Sequence, residues 1–351
     1  MAVVTSSAIV PRNVLILKAS PSGKHIEDGA GVIRRALFAF GTSLILAASG
    51  WAAPIHAVPD PQDAQPTFRS SVELVTVTVS VRDDRGRVLR DMKKADFEVF
   101  DSGSLVPIKD FYAGDAPVSL AVLLDVSGSM AVGGNIDKAR EAVLMAMQNL
   151  RRGSDEAALF TFDSELQEVV RFTQDLDRVH RVSLDGKPWG TTLLFDAIAQ
   201  TAEAVAARTN RHRALLVITD GVDSGSRLTP PEVSAVASGI DVPVYLLTVV
   251  NPLDHIGGEF AVTDGRKASE TATLADLARW TGGDMRIASV PAHTVEAIRD
   301  LFTELRHQYL ITFEPGTRPG WHPLEIRARK KNLIIHARSG YVIGAVRKRG
   351  T

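Results

Sequence analysis

The sequence predicts an α/β protein: a doubly wound, mostly parallel sheet with helices on both faces, plus a small β domain built from N- and C-terminal segments. Three observations carry this. Residues 119–124 (SLAVLL), 157–162 (AALFTF) and 214–219 (ALLVIT) are continuous apolar runs of strand length, as expected of strands buried on both faces in a parallel sheet. Helical stretches separate them, and strand–helix alternation marks βαβ units. Outside residues 117–306 the texture changes to short, β-branched, alternating runs with turn signals.

At the N-terminus, Arg34 and Arg35 precede an uncharged run over 36–55, most apolar at 36–48 (ALFAFGTSLILAA). A positive lead, a short apolar stretch and the small residue Ala57 read as an export signal over 1–57. Gly41, Thr42, Ser43, Ser49 and Gly50 dilute the run, which favours a cleaved signal over a retained membrane anchor. The long lead before Arg34 implies either a downstream start at Val32 or a twin-arginine signal. The expected location is periplasmic, cell-surface or secreted. Residues 58–70 open on VPDPQDAQP without periodicity and read as a linker.

From 71 to 113 the chain is β. The run SVELVTVTVSVRDD, with Val72, Leu74, Thr76, Thr78 and Val81, closes on Asp83-Asp84-Arg85-Gly86, a strand followed by a turn. Residues 96–100 and 108–111 add two short strands. Residues 114–306 form the sheet-and-helix domain. Its strand 119–124 ends in Asp125, and a helix over 135–150 leads to strand 157–162. A helix over 193–207 follows, then strand 214–219, which ends in Asp220. The next helix, 229–238, starts on Thr229-Pro230-Pro231-Glu232, a capping-box spacing with Pro in the first turn. Strand 242–250, helix 272–281 closed by Gly282-Gly283, strand 285–288 and helix 294–306 complete the alternation.

Residues 307–345 return to β, with alternating runs at 308–313, 323–328 and 333–338. Lys330-Lys331-Asn332 is expected as a hairpin turn between the last two. An isolated hairpin is marginal in water, so 71–113 and 307–345 are expected to pair as one β domain split by the central one. Residues 346–351 are a basic, solvated tail.

Charge and composition limit the function. Lys plus Arg total 40 against 41 Asp plus Glu, a net of -1, so no bulk attraction to nucleic acid is expected. Removing 1–57 takes away five basic and two acidic residues, leaving 35 against 39. The absence of Cys excludes disulfides, thiolate zinc, iron–sulfur clusters and a cysteine nucleophile. A metal must sit on oxygen or imidazole.

Three polar groups fall where a doubly wound sheet binds ligands, at strand carboxyl ends and helix starts. Asp125-Val126-Ser127-Gly128-Ser129 follows one buried strand, Gly190-Thr191-Thr192 precedes a helix, and Asp220-Gly221 follows another strand. Asp125, Ser127, Ser129, Thr191 and Asp220 offer two carboxylates and three hydroxyls. Such hard oxygens suit Mg²⁺, Mn²⁺ or Ca²⁺. Singly, each group is also a common helix cap or turn; together and in this order they point to a metal site.

These residues resemble the metal-ion-dependent adhesion site of the von Willebrand factor type A family, whose fold is doubly wound and Rossmann-like. Lys94-Ala95-Asp96-Phe97-Glu98-Val99, Ala116-Pro117, Phe195-Asp196-Ala197-Ile198, Thr281-Gly282-Gly283, Tyr309-Leu310 and Arg338-Ser339-Gly340-Tyr341 extend the resemblance to the bacterial exported subgroup, over about residues 72–345. One departure is Thr192 after Thr191, where many relatives have Ala, which offers two hydroxyls for one position. The resemblance implies non-catalytic, metal-dependent binding of another protein.

Mg²⁺ takes six oxygens and the motif supplies about five, so one position is open to water or to an Asp or Glu of a partner protein. The alternative is a metal-dependent hydrolase activating water at the same site, which needs a positioned base. No His-Glu-x-x-His, Gly-x-Ser-x-Gly or P-loop is present. His180, His212 and His307 are expected at the surface or at helix ends. Asp163, Asp196 and Asp223 read as caps or as acceptors behind the ligands rather than as ligands, with Asp196, on the helix behind Thr191, the leading acceptor. Membrane contact is expected only through an uncleaved N-terminal segment.

Overall fold

Successive side chains of one strand enter two separate cores: Leu120, Val122 and Leu124 pack into one, Ala121 and Leu123 into the other. A strand with apolar residues on both faces has to be covered on both, and this one is the hub of the molecule. The computed structural model describes residues 74–251 and 273–344; the expected export signal, linker and basic tail lie outside them.

In chain order the first β segment holds β1 (Val75–Asp83), β2 (Phe97–Asp101), β3 (Ser104–Val106) and β4 (Ile108–Ala113). The central segment follows with β5 (Val118–Asp125), α1 (Asn135–Gln148), β6 (Glu156–Phe162), β7 (Leu166–Thr173) and α2 (Leu176–His180). It continues through α3 (Leu194–Ala206), β8 (His212–Thr219), α4 (Pro230–Gly239), β9 (Val244–Val249), α5 (Leu274–Thr281), β10 (Met285–Ala288) and α6 (Pro291–Leu305). The last segment is β11 (Tyr309–Phe313), β12 (Gly320–Ala328), β13 (Leu333–Ala337) and β14 (Gly340–Ile343).

The central sheet has the order β10-β9-β8-β5-β6-β7. Its strands are parallel except β7, which runs antiparallel at the edge. Buried residues of α1, α2 and α6 cover one face, those of α3, α4 and α5 the other. The helix after β5 and the helix after its neighbour β8 thus lie on opposite faces. That is the topological switch point, where the carboxyl ends of adjacent strands leave a crevice. The capping box at Thr229 and Glu232 forms as the spacing predicts. Gly283 has no substitute: a Cβ there would stand 2.0 Å from the carbonyl oxygen of Val244.

The two β segments interleave. One four-stranded sheet has the order β13-β1-β11-β4 and the other β14-β12-β2-β3, so each contains strands from both ends of the chain. Val77, Val79, Val81, Phe97, Val99, Ile311, Phe313, Ile326 and Tyr341 fill the space between them. The fold is the expected sheet-and-helix core with a small β unit built from N- and C-terminal segments.

The structure corrects several expectations. Lys330-Lys331-Asn332 is not a hairpin turn, because β12 and β13 belong to different sheets. β12 pairs with β14 along Gly320–Pro323 and with β2 along Leu324–Ala328, and β13 pairs instead with β1. Asn332, at φ 60°, turns the chain from one sheet to the other. Helix α6 begins at Pro291, three residues before the expected Thr294, with Pro in its first turn. β7 and β14 escape the pattern reading because they are short or half-solvated strands with little alternation to detect.

Candidate functional site

Three loops meet at the switch point. The first leaves β5 at Asp125, the second enters α3 at Leu193, and the third leaves β8 at Asp220. Backbone bonds hold them together: Gly128 N–H donates to Gly190 C=O at 3.1 Å and Trp189 N–H to Val126 C=O at 3.0 Å. From the other side, Ser224 and Gly225 N–H groups both donate to Thr192 C=O, and Thr192 N–H donates to Ser224 Oγ at 2.9 Å. Gly190 has φ +85°, a conformation that favours glycine.

Asp125 is fully buried. Its Oδ1 accepts the Ser127 N–H at 2.9 Å and its Oδ2 the Thr219 hydroxyl at 2.6 Å. Burial pushes the Asp125 pKa up to about 7, with Asp220 adding repulsion, against hydrogen bonds from Ser127 and Thr219. Asp220 is nearly buried and is also pushed up by burial, against the nearby Ser129 hydroxyl and the Val222 N–H, which Oδ1 accepts at 3.2 Å. Ser127 Oγ and Ser129 Oγ stand 3.1 Å apart. Among the described residues neither carboxylate takes part in an ion pair. Two desolvated carboxylates and three or more hydroxyls, with no protein cation beside them, fit a hard divalent cation.

Residues 120–222 match the family model of the von Willebrand factor type A domain.

The match runs from β5 through the start of the loop after β8. No curated protein matches the chain. Among solved structures, the chain is similar to an aerotolerance-related membrane protein from Bacteroides fragilis, with 18% identity over 54% of this chain and 98% of that one, TM-score 0.38. A von Willebrand factor type A protein from Catenulispora acidiphila gives 13% identity over 79% and 76%, TM-score 0.41. The pilus adhesin SpaC from Lactobacillus rhamnosus GG gives 10% identity over 70% and 47%, TM-score 0.41.

Within the central segment the structure brings Asp125, Ser127, Ser129 and Asp220 to one crevice and sets Thr191 beside it on the second loop. Thr191 is exposed, while the side chain of Thr192 is buried. Asp196 does not reach back to Thr191: its carboxylate accepts the N–H groups of Arg227 and Leu228 and so shapes the third loop. Asp223 caps α3 by accepting Leu194 N–H at 2.9 Å. Asp163 accepts Glu165 N–H at 3.0 Å.

Thr219 is the participant that the sequence reading missed. Its hydroxyl donates to Asp125 and accepts Gly221 N–H at 3.0 Å. A hydroxyl residue directly before a strand-end Asp was the available signal. His212 also departs from expectation, being fully buried rather than at the surface. It opens β8, where the central sheet meets Tyr112 of the β unit. Among the described residues no helix is long and apolar enough to cross a membrane.

Proposed function

We propose that this chain is a non-catalytic, divalent-cation-dependent protein-binding module of the cell envelope. Asp125, Ser127, Ser129, Thr191 and Asp220 hold Mg²⁺, or Mn²⁺ or Ca²⁺, and a partner protein supplies an Asp or Glu. The observation that carries this reading is the pair of buried carboxylates at adjacent strand ends, with the Ser127 and Ser129 hydroxyls beside them and no ion pair among the described residues. A bound cation supplies the missing positive charge and an open coordination position that a carboxylate can take. The type A match and the N-terminal signal pattern support an exported adhesion or assembly role.

The hydrolase alternative needs a general base beside the cation. His212 lies at the amino end of β8, the opposite end of the strand from Asp220, and His307 follows α6 near it.

Thermal melting of the purified, metal-stripped chain tests the reading. Millimolar Mg²⁺ raises the melting temperature of the wild type and chelator reverses it, because a ligand that binds only the folded state stabilises it by mass action. Asp125→Ala removes the effect. Equal melting temperatures with and without Mg²⁺, indistinguishable from the variant, defeat the cation site.

A further inference from the structure

Three of the large apolar side chains that face solvent stand on the three loops of the site. Trp189 is 81% exposed, two residues before Thr191; Val132 is 61% exposed, three residues after Ser129; Val222 is 49% exposed, two residues after Asp220. The backbone is fixed at two of them. The Trp189 N–H is bonded to Val126 C=O, and the Val222 N–H to Asp220 Oδ1 at 3.2 Å. Lys187 and Arg227 are exposed on the same loops and form no ion pair among the described residues.

A tryptophan left this open forgoes the burial that would stabilise it, and Trp is enriched where one protein docks on another. A carboxylate reaching the site carries its neighbours along the same loops, since an extended chain advances about 3.3–3.6 Å per residue. Resting on the cation-dependent reading above, we propose that the partner segment is an acidic residue directly flanked by an aromatic or branched aliphatic one. The carboxylate enters the site, and its apolar neighbour packs on the Trp189 indole, with Val132 and Val222 completing the rim. Lys187 and Arg227 favour an acidic segment over a neutral one. Affinity then comes from the cation and selectivity from Trp189.

Two blocked peptides, Ac-Gly-Asp-Gly-NH₂ and Ac-Gly-Asp-Phe-NH₂, test this on the full chain in excess Mg²⁺ by ligand-observed NMR, which reads weak binding. The wild type is expected to bind the Phe peptide about 10-fold more tightly, a difference of about 1.4 kcal/mol. Trp189→Ala is expected to remove that preference while leaving the Gly peptide unchanged, and Trp189→Phe to restore most of it. Equal affinities in the wild type, a preference that survives Trp189→Ala, or no binding of either peptide overturns the proposal. Chelator separates the two readings. Flank-blind binding that chelator abolishes leaves the cation site standing and sinks only the Trp189 subsite. A Phe preference that persists in chelator sinks the cation-dependent reading, and with it the coupled site proposed here.

Discussion

The Thr219 hydroxyl donates to Asp125 Oδ2 across 2.6 Å and so ties the carboxyl ends of β8 and β5 together at the crevice between them. The same oxygen accepts the Gly221 N–H, so one side chain both orients a candidate ligand and starts the loop that carries Asp220. Thr219→Val keeps the shape and removes the donor. It is expected to lower stability by about 1–3 kcal/mol, the cost of leaving a buried polar group unpaired, read as a lower urea midpoint at unchanged slope.

Asp125→Asn has the opposite sign when no cation is present. The wild-type carboxylate bears the full cost of burial and the repulsion of Asp220, whereas an amide bears neither in full. In chelator the variant is expected to melt higher than the wild type, and added Mg²⁺ is expected to reverse the ranking because only the wild type gains. A variant less stable than the wild type in chelator contradicts this account of the site.

His212 makes stability depend on acid. It is fully buried, neither ring nitrogen has a partner, and burial pushes its pKa down to about 4. Since the unfolded value is about 6.5, the unfolded chain takes up the proton first. The contribution is therefore complete above about pH 6.5 and lost as pH falls toward about 4, up to about 3 kcal/mol. Glu304 acts lower. Burial opposes its ionisation, but His336, Arg82 and Tyr245 outweigh that and hold it down at about 2, so its contribution disappears only below its ordinary 4.5. His212→Phe is expected to flatten the dependence between pH 6.5 and 4.5, measured by urea unfolding at several pH values.

Glu304 joins the β unit to the central sheet. It accepts Ser80 Oγ at 2.8 Å and Arg82 Nε at 2.9 Å from β1, and Tyr245 Oη at 2.7 Å from β9. Glu304→Gln removes the nearer of the two carboxylates beside the buried Arg82 guanidinium and leaves only Asp284 at 3.7 Å. A loss of about 3–5 kcal/mol is expected, seen as a large drop in melting temperature.

The sequence by itself determined the alternation of strand and helix over the central segment, because a run such as 119–124, apolar on both faces, has only a doubly covered sheet to enter. It also placed Asp125 and Asp220 at the carboxyl ends of two buried strands, because each closes a continuous apolar run of strand length. Tertiary structure alone decided which strand edges meet. Periodicity assigns a side chain to a face but not a strand to a neighbour, and so β13 pairs with β1 rather than with β12. It decided, too, that Thr219 faces Asp125 and that His212 is sealed under Tyr112, since both depend on the side-by-side placement of segments distant in the chain. The physical reason is the same in each case: local pattern sets what a residue must bury, and the packing of non-local partners sets what it is buried against.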